Sequence, residues 1–154
     1  MSEKNNIKES TKELDKVIRD INKCLGEYTK ISLKENDLTM PRFLVLWYIT
    51  KYEPVNMSVL HNKMYMANST LTVIVDKLVK EELVKRYRNP DDRREVLLEL
   101  TEKGNDLLSN LLYRRQEFLE KSMKELKNEE IDEILDFLRP ISVKLKRNLD
   151  KGDE

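Results

Sequence analysis

The sequence predicts a mainly α-helical fold with one small β-hairpin. Two observations carry that expectation. Apolar residues recur at helical spacing over both ends of the chain. Between them, a charged turn around Pro90 separates two short segments with the residue pattern of strands. The 154 residues contain no Gly/Ser linker, low-complexity tract or clear repeat, so we expect one domain, residues 1–154.

Two long helices open the chain. The first, over residues 8–34, has an apolar stripe formed by Leu14, Val17, Ile18, Ile21, Leu25, Tyr28 and Ile31. The second begins at Thr39, because Pro41 then falls in the first turn, where proline is well tolerated. It continues through an apolar segment that includes Leu44, Leu46, Trp47 and Ile49.

Two shorter helices are predicted next, over residues 58–64 and 68–82, with Ser58 as the N-cap of the first. Their three-residue connection forces a sharp crossing, as in a helix-turn-helix. The second helix has an apolar stripe of Leu71, Ile74, Val75, Leu78 and Val79. Its opposite face carries Ser69, Thr70, Thr72, Val73, Asp76, Lys77 and Lys80. Small hydrogen-bonding side chains can approach base edges closely, which a recognition helix requires.

The predicted hairpin follows, with strands over residues 83–88 and 96–100. Arg93 and Arg94 lie at its exposed tip beside carboxylates, which suits contact with a polyanion better than packing in a core. Asp92 is expected to hold the Arg94 guanidinium in one orientation. The formal net charge is zero, but basic residues cluster here: Lys77, Lys80, Lys85, Arg86, Arg88, Arg93 and Arg94. DNA responds to such a local patch rather than to the total charge.

Two further helices are predicted over residues 102–149. Their apolar positions are Leu107, Leu108, Leu111, Leu112, Phe118 and Leu119, and then Ile131, Ile134, Leu135, Leu138, Ile141, Leu145 and Leu149. Pro140 predicts a kink or a break near residues 137–139. Together with the first helix, these stripes exceed what one small core can cover, so we expect a homodimer. The alternative, in which the helices close on their own subunit, stays open.

Five strings of residues resemble the MarR family of winged helix-turn-helix regulators. They are Asn68-Ser-Thr-Leu-Thr, Val75-Asp-Lys-Leu, Leu83-Val-Lys-Arg, Asp91-Asp-Arg-Arg and Leu98-Glu-Leu-Thr-Glu-Lys-Gly. The Asp-x-Arg hairpin followed by Leu-Thr-Glu-Lys-Gly is the specific part of this resemblance. It implies a winged helix-turn-helix lobe over residues 38–101, with the helices of residues 8–34 and 102–149 forming a dimerisation region.

The resemblance implies that Arg94 enters the minor groove, braced by Asp92, and that residues 68–73 read the major groove. The residues predicted to contact DNA are Asn68, Ser69, Thr70, Thr72, Val73, Lys77, Arg86, Arg88, Asp92, Arg93 and Arg94. Two positions depart from the family pattern: Val73 stands where the family often has Arg, and Glu82 where it usually has Gly. Without that Gly, we expect the recognition helix to end in a cap without a left-handed residue.

A small aromatic or phenolic effector is also implied by the resemblance. Tyr28, Trp47 and Tyr48 would line its pocket and Arg42 would pair with an anionic group, although aromatic residues at helical spacing more often belong to a core. Cys24 is expected to be a buried small side chain, and His61 a packed or partly exposed one. One His and one Cys on separate helices do not make a metal site, so no metal or cofactor is expected.

The chain has no glycine-rich phosphate loop and no recognisable nucleophile, base and acid arrangement, so no enzyme is predicted. The absence of a signal peptide and of a long apolar run, with a single cysteine, predicts a cytoplasmic protein without membrane contact. The predicted function is sequence-specific binding of duplex DNA by a transcriptional regulator, a ligand-responsive repressor that acts as a homodimer on a pseudo-palindromic operator. The alternative is a helical protein-interaction module whose basic wing binds an acidic protein surface.

Overall fold

The computed structural model describes residues 7–150. In chain order the elements of this range are α1 (Glu9–Glu35), α2 (Met40–Tyr52), β1 (Val55–Asn56), α3 (Met57–Met64), α4 (Asn68–Lys80), β2 (Val84–Arg88), β3 (Val96–Leu100), α5 (Glu102–Ser122) and α6 (Asn128–Asp150). The predicted mainly helical fold with a small β-hairpin is therefore confirmed. The chain divides into two compact units, one that ends at Arg115 and one that begins at Gln116.

The core of the first unit is built from α2, α3, α4 and the sheet. Its fully buried side chains are Val45, Leu46, Ile49, Leu60, Leu71, Val75, Leu78 and Leu98, each with 0% exposure. Each of these stabilises the fold by about 1.5–3 kcal/mol. Because α4 contributes three of them at helical spacing, its opposite face is left to solvent, as the sequence predicts.

The helix-turn-helix consists of α3, a left-handed turn and α4. The N-cap of α3 is Asn56 rather than the predicted Ser58, since the Asn56 side chain accepts a hydrogen bond from the Val59 N–H at 2.9 Å. Asn56 ends β1 in an extended conformation, which directs its side chain over the first turn of the helix. Tyr65 then turns the chain with φ 49° and ψ 40°, and α4 begins at Asn68 as predicted.

The C-terminal end of α4 contains a left-handed residue, so the expected cap without one is wrong. Glu82 has φ 60°, while its N–H donates to the Val79 carbonyl at 3.0 Å and the Leu83 N–H donates to the Leu78 carbonyl at 2.9 Å. This pair of bonds is the Schellman pattern, which requires a left-handed residue whatever its side chain. The two bonds and the burial of Leu83 outweigh the cost of about 1–2 kcal/mol for a non-glycine residue there.

The sheet is antiparallel, with strand order β1-β3-β2. The predicted hairpin is confirmed, because β2 pairs with β3 from Val84 opposite Leu100 to Arg88 opposite Val96. The third strand, β1, pairs Val55 with Leu98 and was not predicted. Two residues are too few to show a strand period in the sequence.

The Leu-Thr-Glu-Lys-Gly motif joins the start of α5 to the end of α4. Thr101 Oγ1 accepts the Gly104 N–H at 3.0 Å and donates to the Glu82 carbonyl at 2.6 Å. Lys103 Nζ donates to the Glu81 carbonyl at 2.9 Å. A Cβ atom at Gly104 would lie 2.0 Å from the Leu83 carbonyl oxygen, so only glycine fits this contact.

Helix α1 exposes most of its apolar stripe in the single chain. Leu14, Val17, Ile21 and Ile31 are 43–58% exposed, whereas Leu33 near the C-terminal end is buried. Cys24 is also exposed, so its predicted burial is wrong for the single chain. The reason is that the packing of α1 against the core involves its C-terminal part, where Ser32 and Leu33 are its buried residues.

In the second unit, α6 continues through Pro140, so of the kink or break predicted near residues 137–139 the break does not occur. A proline removes one backbone donor, which a helix of 23 residues accommodates here without ending. Ile134, Leu135, Leu138 and Leu145 of this helix are 37–57% exposed. The apolar face of α6 is therefore largely open to solvent.

Candidate nucleic-acid interface

The outer face of α4 is the first part of the candidate interface. Its exposed residues are Asn68, Ser69, Thr70, Thr72, Val73, Asp76, Lys77 and Lys80. Val73 is 68% exposed, although it is apolar. Thr72 Oγ1 donates to the Asn68 carbonyl at 2.8 Å, so its methyl group and lone pairs remain for a ligand. The N-terminal half of the helix thus presents small side chains, as the sequence predicts.

Arg86 connects the hairpin to this helix. Its Nη2 lies 2.8 Å from Asp76 Oδ1, and both side chains are partly exposed. An exposed pair of this kind contributes at most about 1 kcal/mol to stability. The pair also changes the charge of the interface, because it neutralises a carboxylate on the face that carries Lys77 and Lys80. Arg86, predicted to contact DNA, is therefore already paired within the chain.

The far end of α4 is held by Arg42 of α2. The Arg42 side chain forms an ion pair with Glu81 and donates from Nη1 to the Asp37 carbonyl at 3.1 Å. Arg42 is 6% exposed, and burial lowers the pKa of its guanidinium. Arg42 was predicted to bind an anionic effector group. In the structure the anionic group beside Arg42 is the Glu81 carboxylate, and this ion pair connects the end of α4 to α2.

The wing tip, residues 89–95, is ordered by side chains that accept from its own backbone. Asp92 Oδ1 accepts the Arg94 N–H at 3.0 Å, and Asn89 Oδ1 accepts the Asp91 N–H at 3.0 Å. Asp92 was predicted to hold the Arg94 guanidinium, but its bond goes to the Arg94 backbone instead. An Asx turn of this type fixes the chain direction rather than the arginine side chain.

The guanidinium groups of the wing tip are directed to solvent. Arg93 and Arg94 are exposed, and within residues 7–149 neither guanidinium has a hydrogen-bond or ion-pair partner. Arg88 Nη1 donates weakly to the Arg93 carbonyl at 3.4 Å. Two unpaired guanidinium groups are therefore available to a phosphate or to a groove.

The wing base carries two carboxylates that local sequence patterns do not identify. Glu95 accepts from the side-chain amides of Asn56 and Asn89, and these hydrogen bonds lower the pKa of Glu95. Hydrogen bonds from Lys85 and, to a smaller extent, from Tyr87 lower the pKa of Glu99. The hydrogen bond between Tyr87 and Glu99 in turn raises the pKa of Tyr87 to about 12. Asn56, an amide before a helix start, is a sequence signal, but its bond to Glu95 joins residues 39 positions apart.

The residues predicted for an effector pocket do not line one cavity. Tyr28 lines a cavity of about 10 Å³ between α1, α2 and α5, together with Ser32, Phe43 and Arg115. That volume admits one water molecule. Trp47 and Tyr48 contact each other on α2, with ring centroids 5.0 Å apart and an interplanar angle of 70°.

Among the residues that the structure describes, no group of three His, Cys, Asp or Glu side chains could hold a metal ion. His61 is half-buried, and its Nδ1 lies 3.2 Å from Asn62 Oδ1. No helix in the described part of the chain is long and apolar enough to cross a membrane.

A helix-turn-helix followed by a hairpin with free arginines at its tip defines a winged helix-turn-helix protein. The sequence model that describes the MarR family matches residues 38–96, which extend from the α1–α2 turn to the wing. The HTH-type transcriptional regulator YsmB of Bacillus subtilis is 30% identical over 80% of this chain and 84% of that protein. The HTH-type transcriptional regulator SarZ of Staphylococcus saprophyticus is 36% identical over 73% of each.

Solved structures agree with these sequence comparisons. A MarR family protein from Bacillus stearothermophilus superposes with a TM-score of 0.83 and 29% identity, over 91% of this chain and 99% of that one. This chain therefore belongs to the MarR family and is a DNA-binding transcriptional regulator, not an enzyme. The family assignment favours DNA over the acidic protein surface that the sequence left open.

Proposed function

We propose that this regulator is a ligand-responsive repressor that acts in the cytoplasm as a homodimer on a pseudo-palindromic operator. The observation that carries the proposal is the combination, in one lobe, of an exposed polar face on α4 and a wing tip with two free guanidinium groups. Small side chains at the start of α4 can reach base edges, while the wing arginines can reach the adjacent minor groove.

The DNA-contacting residues divide into two groups by chemistry. Ser69, Thr70 and Thr72 can read bases, because their side chains are short, polar and exposed. Val73 can contact a thymine methyl group. The remaining predicted contacts are charged or lie at the edges of the surface and would bind the backbone or the minor groove: Asn68, Lys77, Arg86, Arg88, Arg93 and Arg94. Asp92 would act through the backbone of Arg94.

The homodimer is supported by apolar surface that the single chain does not cover. In the first unit, Leu14, Val17 and Ile21 of α1 are exposed; in the second, Leu138 and Leu145 of α6 are exposed. Soluble monomers seldom expose large contiguous apolar patches. A two-fold dimer would also present two recognition helices to half-sites about one DNA turn, roughly 34–36 Å, apart.

A small aromatic or phenolic effector would act at the junction of α1, α2 and α5. The support is the cavity beside Tyr28, where the buried Ser32 hydroxyl has no hydrogen-bond partner among the described residues. A ligand of that class would have to enlarge this cavity, because its present volume of about 10 Å³ admits only water. Such an enlargement would shift the separation of the recognition helices.

An unbiased DNA selection with the full chain tests the proposal. We expect a two-fold symmetric consensus, a saturable gel-shift complex at near-physiological salt, and a dimer in analytical ultracentrifugation. Arg94→Ala should weaken binding to the selected operator by about 1–3 kcal/mol while the dimer persists. A monomer at micromolar concentration, a consensus without symmetry, or unchanged affinity in Arg94→Ala would contradict the corresponding part of the proposal.

A further inference from the structure

The base of the wing contains a hydrogen-bond network that reaches the first helix of the helix-turn-helix. We define the Glu95 network as Asn56, Asn89 and Glu95. Glu95 accepts from the amide groups of both asparagines, with 2.6 Å between Asn89 Nδ2 and Glu95 Oε2. Asn56 accepts the Val59 N–H through its other side-chain atom, as the N-cap of α3. One carboxylate therefore connects the wing to the start of α3.

Backbone hydrogen bonds continue this network into the wing tip. The Asn89 N–H donates to the Glu95 carbonyl at 2.9 Å, and the Glu95 N–H donates to the Asp92 carbonyl at 2.9 Å. Asn89 Oδ1 accepts the Asp91 N–H at 3.0 Å. An unbroken series of hydrogen bonds thus runs from α3 to the segment that carries Arg93 and Arg94.

Resting on the proposed DNA contact of the wing, we propose that Glu95 is a positioning residue. It fixes the wing tip relative to α3 and thereby sets where Arg94 meets the minor groove. The tip itself, residues 89–95, contributes no side chain to the apolar core. Its placement therefore depends on polar contacts, and contacts made before DNA arrives lower the ordering cost of binding.

Because Glu95 is negatively charged, the direction in which DNA affinity changes on its substitution tests the proposal. A carboxylate at the wing base repels a polyanion, so its removal alone would strengthen DNA binding. If Glu95 positions the wing, Glu95→Gln must instead weaken binding, because two amide groups then compete for one remaining carbonyl oxygen. Asp91→Asn is the matched control. It removes the same charge from the wing, and within residues 7–149 the Asp91 side chain has no hydrogen bond.

Exchanging the hydrogen-bond donor and acceptor between positions 56 and 95 distinguishes a positioning role of Glu95 from an effect of its charge. Asn56→Asp keeps the helix cap, since Asp is as good an N-cap as Asn, but sets two carboxylates against each other. In the double variant Asn56→Asp with Glu95→Gln, the new amide can donate to Asp at 56 and accept from Asn89. The network is then complete again, with donor and acceptor reversed at one bond and the net charge of the wild type.

Operator affinity, measured by gel shift under conditions where every variant is folded, decides between the outcomes. Glu95→Gln should bind about three- to tenfold more weakly than wild type, and Asn56→Asp at least as weakly. The double variant should return to within about twofold of wild type. Asp91→Asn should bind at least as tightly as wild type. Exchange of the backbone amide hydrogens at positions 89 and 95 should be faster in both single variants and slow again in the double variant.

Arg94→Ala is added in each background to distinguish the two proposals. It should weaken binding strongly in the wild type and at least threefold less in Glu95→Gln, where the wing is already misplaced. If Arg94→Ala has no effect in the wild type, the DNA role of the wing is wrong. If Arg94→Ala weakens binding but Glu95→Gln binds like Asp91→Asn, or the double variant is not rescued, the positioning role of Glu95 is overturned.

Discussion

The two ends of α4 differ in how they are held. At the C-terminal end, three side chains bind the residues that follow the last turn: Arg42 pairs with Glu81, Lys103 donates to the Glu81 carbonyl, and Thr101 donates to the Glu82 carbonyl. At the N-terminal end, Ala67 gives no side-chain cap and Ser69 and Thr70 are exposed. The helix is thus held at the end away from the residues proposed to read bases, and those side chains are left exposed.

The difference implies that changes at the two ends have different consequences. A change at the fixed end should lower stability and alter the placement of the whole helix. A change at the reading end should alter which bases are bound and leave stability almost unchanged, because exposed substitutions usually change stability by less than about 0.5 kcal/mol.

Gly104→Ala should have the largest effect. Its Cβ would lie 2.0 Å from the Leu83 carbonyl oxygen, so the start of α5 and the end of α4 must separate. We expect a loss of about 1–3 kcal/mol in the free energy of unfolding, measured in urea. Gly26→Ala is the control, because a Cβ there meets nothing within 4 Å, and it should stabilise α1 by about 0.5–1 kcal/mol. Equal effects of the two variants would refute the close-contact explanation.

Arg42→Met should cost about 1–2 kcal/mol of stability, since it keeps the apolar stem but removes the bonds to Glu81 and Asp37. The estimate is modest because Glu81 is partly exposed and water screens its charge. A double-mutant cycle with Glu81→Gln should give a coupling energy of about 0.5–1 kcal/mol in the same urea measurement. A coupling energy of zero would show that the pair does not hold the helix end.

Glu82→Gly should increase stability by about 0.5–1 kcal/mol, because it relieves the left-handed conformation at φ 60° but adds backbone freedom to the unfolded chain. Glu82→Ala is the matched control. It removes the carboxylate and keeps the Cβ atom, so it should give no such gain. If Ala and Gly stabilise equally, the charge of Glu82 rather than its conformation is the cause.

Thr72→Gln should change stability least. The side chain is exposed at the reading end, so we expect the sequence recovered by DNA selection to change while the melting temperature stays nearly constant. Lys77→Gln provides the comparison, because loss of a phosphate contact should weaken all sequences alike and reduce the salt slope by about one unit. An unchanged consensus with Thr72→Gln would remove Thr72 from the base-reading residues.

Periodic elements could be predicted from the sequence, and single contacts between distant residues could not. The buried stripe of α4 and the pairing of β2 with β3 follow from repeats of 3.6 and two residues. The left-handed Glu82 could not be predicted, because the Schellman bonds and the contact with Thr101 impose it. In the candidate site, the exposed arginines of the wing are local features, whereas the Arg42 pair and the Glu95 network join residues 39 positions apart.

The hydrogen bond between Thr72 and Asn68 limits which DNA bases Thr72 could contact. The hydroxyl hydrogen of Thr72 is committed to the Asn68 carbonyl at 2.8 Å, so this side chain cannot also donate to guanine O6 or N7. Its lone pairs can accept from the exocyclic amino group of adenine or cytosine, and its methyl group can contact the methyl of thymine. If Thr72 lies against a base pair of the operator, it would therefore offer no hydrogen-bond donor to a guanine at that position.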